Sequence, residues 1–149
     1  VTTVAADLVA GVMCADSCLT DGTECGSVRK IYRVRGELLG FAGTYACWLE
    51  WLKEWQAGEL ASALMFDDVY VLRMSRAGLS TWDSTNGWAP LGERRWAIGS
   101  GGLAARGALG AGVSCRRAVA IACTIDAASR GPVRQFTLEH RHARAHPGR

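Results

Sequence analysis

Histidine is missing from the body of this chain: His140, His142 and His146 all fall within the last ten of 149 residues. That argues against Ser/His and Cys/His nucleophile pairs, which need an imidazole in the folded part. Lysine is almost as scarce, with Lys30 and Lys53 set against fifteen arginines. The six cysteines, at 14, 18, 25, 47, 115 and 123, form no CxxC pair, so a zinc site is not indicated, and they are too sparse for a disulfide scaffold. Reduced, mostly buried thiols are expected. No basic segment precedes the apolar run Leu8 to Ala15, which is itself too short to span a bilayer. Neither membrane insertion nor export is indicated, and a cytoplasmic protein is expected. The net charge is only +3, and Arg130, Arg134, Arg141, Arg144 and Arg149 near the end supply much of it. This describes a basic tail more than a nucleic-acid-binding face.

What is present is an ordinary folded composition, 49% hydrophobic and 21% charged. A chain of this length can bury roughly 70% of its unfolded surface as one domain. Residues 1–139 are read as that domain and 140–149 as a His/Arg-rich mobile tail. Strands are expected at Thr2 to Ala6, Val9 to Ala15, Val28 to Val34, Leu38 to Ala42, Val69 to Met74, Leu79 to Trp82, Arg95 to Ile98 and Val133 to Leu138. Ser17 to Ser27 reads as a loop, and Arg76 to Gly78 and Asp83 to Gly87 as turns. From Tyr45 to Ala57 the period changes. Trp48, Trp51, Leu52 and Trp55 recur at helical spacing, with Gly58 as the stop, and the indole stripe reads as core or subunit contact. A short helix is expected over Glu59 to Asp67, a second over Leu103 to Leu109, and a third capped by Ser114 and running to about Ala128. Strands, helix, strands, two helices, strand is not the alternation of a parallel α/β fold. It suits an α+β arrangement of antiparallel sheets covered by helices.

Candidate chemistry concentrates in a few places. Thr2 opens the first strand, and the second returns the chain to Asp16. Lys30 stands where arginine is otherwise the rule, and lysine, unlike arginine, can be tuned by burial to assist a nucleophile. Gly99-Ser100-Gly101-Gly102 precedes a helix but lacks the lysine and spacing of a phosphate loop. Asp126 and Ser129, three apart at a helix end, would share one face. The tail histidines lack a companion Cys or carboxylate motif, so no metal and no other cofactor is assigned.

These pieces together resemble the β-subunits of the proteasome and the HslV-type peptidases. The ordered matches are Thr2-Thr3-Val4-Ala5, Ala15-Asp16-Ser17, Val28-Arg29-Lys30, Gly40-Phe41-Ala42-Gly43, Ala97 to Gly102, and Asp126 to Gly131. The resemblance implies a four-layer αββα sandwich, the fold of N-terminal nucleophile hydrolases, and a threonine endopeptidase acting on peptides or unfolded proteins. It implies Thr2 as nucleophile with its own free amine as base, Lys30 lowering the hydroxyl's pKa, and Asp16 holding Lys30 charged. Asp126 and Ser129 would orient the amine, Ser100 would lie beside it, and the Gly43 N–H would hold the oxyanion. Thr20 would pair with the substrate backbone. Leu19, Val28, Phe41 and Tyr45 would line the pocket for the residue before the cut and favour modest apolar side chains. A closed homo-oligomeric ring is implied, and an ATP-dependent unfoldase is the partner that feeds HslV-type rings. No nucleic-acid or membrane partner is expected. Val1 precedes Thr2, so the amine becomes free only on its removal; a subunit retaining Val1 would be a catalytically silent shell of the same fold.

Overall fold

The computed structural model describes residues 2–21, 24–58 and 66–139. β1 (Val4–Asp7) and β2 (Val12–Ala15) form a hairpin, followed by the ribbon β3 (Cys18–Asp21) and β4 (Glu24–Ser27). β5 (Ile31–Val34) and β6 (Glu37–Gly43) lead into helix α1 (Tyr45–Ala57). β7 (Val69–Ser75), β8 (Gly78–Asp83), β9 (Gly87–Leu91) and β10 (Arg95–Ile98) follow, then α2 (Gly102–Gly110), α3 (Cys115–Ile125) and β11 (Arg134–Thr137). Two antiparallel sheets result, ordered β10-β1-β2-β11 and β5-β6-β7-β8-β9.

The pleat sorts the side chains into layers, because alternate residues of a strand face opposite ways. Val4, Ala6, Met13 and Ala15 of the first sheet meet Ile31, Leu38, Leu72 and Met74 of the second. Ala5 and Cys14 turn the other way, onto Ala105, Leu109, Ala118 and Val119 of α2 and α3. On the far side, Leu39, Phe41 and Val71 pack against Trp48, Trp51 and Leu52 of α1. The order is α1, five-stranded sheet, four-stranded sheet, α2 with α3: the expected αββα sandwich. The indole stripe lies in this core. Trp51 is fully buried, edge-on to Phe41 at 5.5 Å and stacked on Trp55 at 5.4 Å. Gly58, at φ 84°, closes α1 with its N–H on the carbonyls of Glu54 and Trp55.

Several expectations need correcting. Ser17 to Ser27 is no loop: it carries the β3–β4 ribbon, whose polar sequence lacks the apolar alternation of a sheet with a buried face. β9 is a strand that was not among those expected, and it starts at Gly87, the end of the expected turn; its place at a sheet edge tolerates Pro90. Val28 to Lys30 fall outside β5, which starts at Ile31; the Val28 N–H bonds the Ser17 carbonyl at 2.8 Å. α3 stops at Ile125, not Ala128, because Asp126 turns to an extended conformation. Cys18 is disulfide-bonded, against the expectation of reduced thiols, while Cys14, Cys47, Cys115 and Cys123 are free. Such bonds ordinarily mark oxidising compartments. Most of the helix expected over Glu59 to Asp67, and the tail 140–149, lie outside the described residues. No helix among the described residues is long and apolar enough to cross a membrane.

Gly40 sets the distance between the sheets. A Cβ there would lie 2.4 Å from Val4 Cγ1 and 3.0 Å from Met13 Sδ. Gly40→Ala therefore overpacks the central layer and should lower stability by about 1–3 kcal/mol, measured by urea unfolding.

Candidate active site

The site is built where β1 begins, between the two ends of the chain's polar turns. Asp16, just past β2, is 1% exposed, and its carboxylate accepts from four donors. The Thr3 N–H reaches Oδ1 at 2.9 Å, and the Cys18 and Arg130 N–H groups reach Oδ2 at 3.2 Å each. Lys30 Nζ lies 3.0 Å from both oxygens and is itself 2% exposed. Burial pulls the Lys30 ammonium below the ordinary lysine value, and the charge of Asp16 offsets only part of that. Lys30 lies immediately before β5, where its carbonyl accepts from the Phe41 N–H at 2.9 Å while its side chain reaches Asp16.

A second cluster joins the chain's start to its end. Asp126 Oδ2 accepts from Ser100 Oγ at 2.5 Å and from Ser129 Oγ at 2.6 Å. Each serine has one proton to give, so each must accept at its other contact. Thr3 Oγ1 therefore donates to Ser129 Oγ at 2.7 Å, and the Thr2 N–H donates to Ser100 Oγ at 3.3 Å. Desolvation pushes the Asp126 carboxyl up, but the bonds from Ser100, Ser129 and the Ala128 N–H outweigh it and hold it below the ordinary carboxylate range. Asp126 and Ser129 meet through a turn after α3, closed by the Ser129 N–H on the Asp126 carbonyl at 3.1 Å, and not on one helical face.

The glycines around Ser100 have a steric purpose. A Cβ on Gly99, which sits at φ 92°, would fall 2.0 Å from the Thr2 carbonyl oxygen; one on Gly101 would fall 2.0 Å from Thr3 Oγ1. Both are needed for the turn before α2 to close on Thr2 and Thr3. A cleft of about 330 Å³ opens at this point. Thr2, Gly99 and Ser100 line it together with Ala42 and Gly43 from the end of β6, and with Asp68 and Tyr70 at the start of β7. Gly43, at φ 104°, could not carry a Cβ, which would lie 1.9 Å from the Asp68 carbonyl oxygen.

Thr2, Gly43 and Ser100 thus meet at the cleft, with Asp126 and Ser129 joined to them by hydrogen bonds and Asp16 and Lys30 buried beneath Thr3. The five residues named for substrate contact do not line this cleft. Thr20 is exposed and Leu19 half-buried on β3. Phe41 is wholly buried in the α1 layer, and Val28 and Tyr45 pack against that same cluster. Sequence reasoning had given no role to Thr3, Asp68 or Tyr70. Thr3 was visible as half of the opening Thr-Thr pair, whereas nothing local marks Asp68 or Tyr70. Among the described residues no group of His, Cys, Asp and Glu gathers as a metal site.

The two antiparallel sheets between helix layers are those of the N-terminal nucleophile hydrolase fold. Within it, the likeness is to structures of HslV and of BPH. HslV from Trypanosoma brucei superposes with a TM-score of 0.76 at 22% identity, over 93% of this chain and 100% of that one. Thiobacillus denitrificans BPH in complex with epoxomicin gives 0.74 at 20% identity, over 93% and 100%. A second BPH structure gives 0.72 at 19%, over 93% and 99%. At these identities the likeness is one of fold. No protein-family model and no curated protein matches the sequence.

Asp16→Ala should cost about 3–5 kcal/mol, the usual result of breaking a buried charge pair. Lys30→Met should cost less, because three backbone donors still face Asp16; urea unfolding of both variants measures the difference. The Lys30 pKa is lower folded than unfolded, so between those values the unfolded chain binds the extra proton and stability rises with pH. Lys30→Met should flatten that alkaline rise.

Proposed function

We propose that this chain is a threonine endopeptidase subunit of a proteasome-like ring. The observation that carries the reading is the continuous hydrogen-bonded path Thr2–Ser100–Asp126–Ser129–Thr3 beside a cleft that also contains Gly43. The similarity in fold to HslV and to a BPH structure that holds epoxomicin supports it.

In this reading Thr2, freed of residue 1, attacks a peptide carbonyl through Oγ. Its amine takes the hydroxyl proton, directly or through one water, and passes it to the departing amine. The developing oxyanion is held by the Gly43 N–H. Hydrolysis of the Thr2 ester by water, with the same amine as base, releases the acyl fragment. Lys30 stabilises the alkoxide electrostatically from its buried place, and Asp16 keeps it oriented. Ser100 Oγ lies 3.3 Å from the Thr2 nitrogen. Its proton is committed to Asp126, so it accepts from Thr2 and leaves the amine lone pair available. Ser129 and Asp126 fix Ser100 and anchor Thr3, which keeps the adjacent Thr2 in register.

A homo-oligomeric ring would confine such a nucleophile, and Leu103 and Ile125, 76% and 70% exposed on the outer helices, supply apolar surface for assembly. Peptides or unfolded segments, fed by an ATP-dependent unfoldase, would be the substrates. A subunit that keeps residue 1 would be a silent shell, since an amide nitrogen is no base.

Intact-mass analysis should show Thr2 as the mature N-terminus, with an epoxyketone adding one equivalent to it. Thr2→Ala should lose labelling and at least a thousandfold of peptidase rate. Peptidase activity surviving in Thr2→Ala would refute the mechanism.

A further inference from the structure

One wall of the cleft has charge that the proposed chemistry does not use. Asp68 lines it beside Thr2 and Gly43, and its side chain is absent from every ion pair formed among the described residues. The carboxylate is nevertheless held firmly. Thr44 Oγ1 donates to Asp68 Oδ2, the Thr44 N–H bonds the Asp68 carbonyl at 2.9 Å, and Gly43 presses its bare Cα against that same carbonyl.

Thr44 makes this contact at the expense of an ordinary duty. It occupies the N-cap of α1 in the extended conformation usual for a cap, φ −73° and ψ 124°, yet its hydroxyl makes no capping bond. A cap threonine normally accepts from the first turn of its helix, and forgoing this costs stability. Here the hydroxyl turns to Asp68 instead. The contact occupies one carboxylate oxygen and leaves the other for a ligand.

Beside Asp68 stands Tyr70, 47% exposed and also lining the cleft. An exposed phenol ring next to a fixed carboxylate is what recognises an ammonium or guanidinium: the face attracts the cation through its quadrupole, and the oxygen accepts a charge-assisted hydrogen bond.

We infer that Asp68 and Tyr70 form a subsite for a lysine or arginine side chain of the peptide, close to the bond that is cut. The inference rests on the peptidase reading for its substrate class. The resemblance assigns the residue before the cut to Leu19, Val28, Phe41 and Tyr45, none of which lines this cleft, so the cation is placed at a neighbouring position. The subsite binds by charge and ring face, with Thr44 as the positioning residue.

Two measurements test it. Fluorogenic peptides with an apolar residue before the cut, carrying lysine or norleucine at each neighbouring position in turn, should show a kcat/KM ratio of about three to ten in favour of lysine at one position. That size follows from one exposed ion pair plus one cation–π contact. Asp68→Asn should bring the ratio close to one, and 0.5 M salt should shrink it in the native protein through screening. Acetylated, amidated tripeptides with central lysine or norleucine are then titrated against the chain, following the Gly43 and Tyr70 amide signals by NMR, which needs no turnover. Tighter lysine binding, lost in Asp68→Asn, supports the subsite even if Thr2 proves unreactive, in which case only the peptidase reading fails. Equal binding of the two peptides, or a lysine preference that survives Asp68→Asn, overturns the subsite even if Thr2 is labelled.

Discussion

A carboxylate buried to 1% must be surrounded by donors, and meeting that requirement at Asp16 organises the structure. Its donors come from four separated parts of the chain: the start of β1, the start of β3, the segment before β5, and the turn after α3. Each of those parts also carries a residue of the candidate site, or lies next to one. The same interaction that neutralises Lys30 therefore brings Thr2 and Thr3 to the turn that holds Asp126 and Ser129. Replacing the pair by apolar residues would not reproduce this, because an apolar contact has no direction and could not fix three backbone segments at once.

Steric allowances complete the arrangement. Gly40 lets the two sheets approach, Gly99 and Gly101 let the turn before α2 close over Thr2 and Thr3, and Gly43 lets the end of β6 sit against Asp68. In each case the atom that a Cβ would strike is either in the central layer or at the cleft. Fold and site thus share their tightest contacts, and the walls of the cleft at Gly43 and Gly99 are closely packed. With the Ser100 proton on its shorter contact, to Asp126 at 2.5 Å, and not on the Thr2 carbonyl at 3.4 Å, the polar path through Ser100, Asp126 and Ser129 presents an acceptor to the Thr2 nitrogen.

Much of this was legible in the sequence where periodicity or residue scarcity marked it. The tryptophan spacing located α1 to the residue, and the shortage of lysine pointed to Lys30. Asp16, Ser100, Asp126 and Ser129 were each named, although the helix-face argument for Asp126 and Ser129 was mistaken, since a turn joins them. What escaped notice lacked a local signal. The sequence of the β3–β4 ribbon lacks an apolar alternation, and β9 contains a proline. Thr3, Asp68 and Tyr70 matter only through partners 126, 24 and 68 positions away in the chain, respectively Ser129, Thr44 and Thr2. Phe41 looked like pocket lining and proved to be core, because the pleat of β6 sends odd and even residues to opposite faces.

The central claim is that Thr2 acts through both its hydroxyl and its amine, facing the Gly43 N–H. A crystal structure of the mature protein treated with epoxomicin tests it most directly. The account predicts covalent bonds from the inhibitor to both Thr2 Oγ and Thr2 N, Ser100 Oγ within hydrogen-bond distance of that nitrogen, and an inhibitor carbonyl oxygen on the Gly43 N–H. An adduct on another residue, or an unmodified Thr2 whose amine is shown to be free, would contradict it.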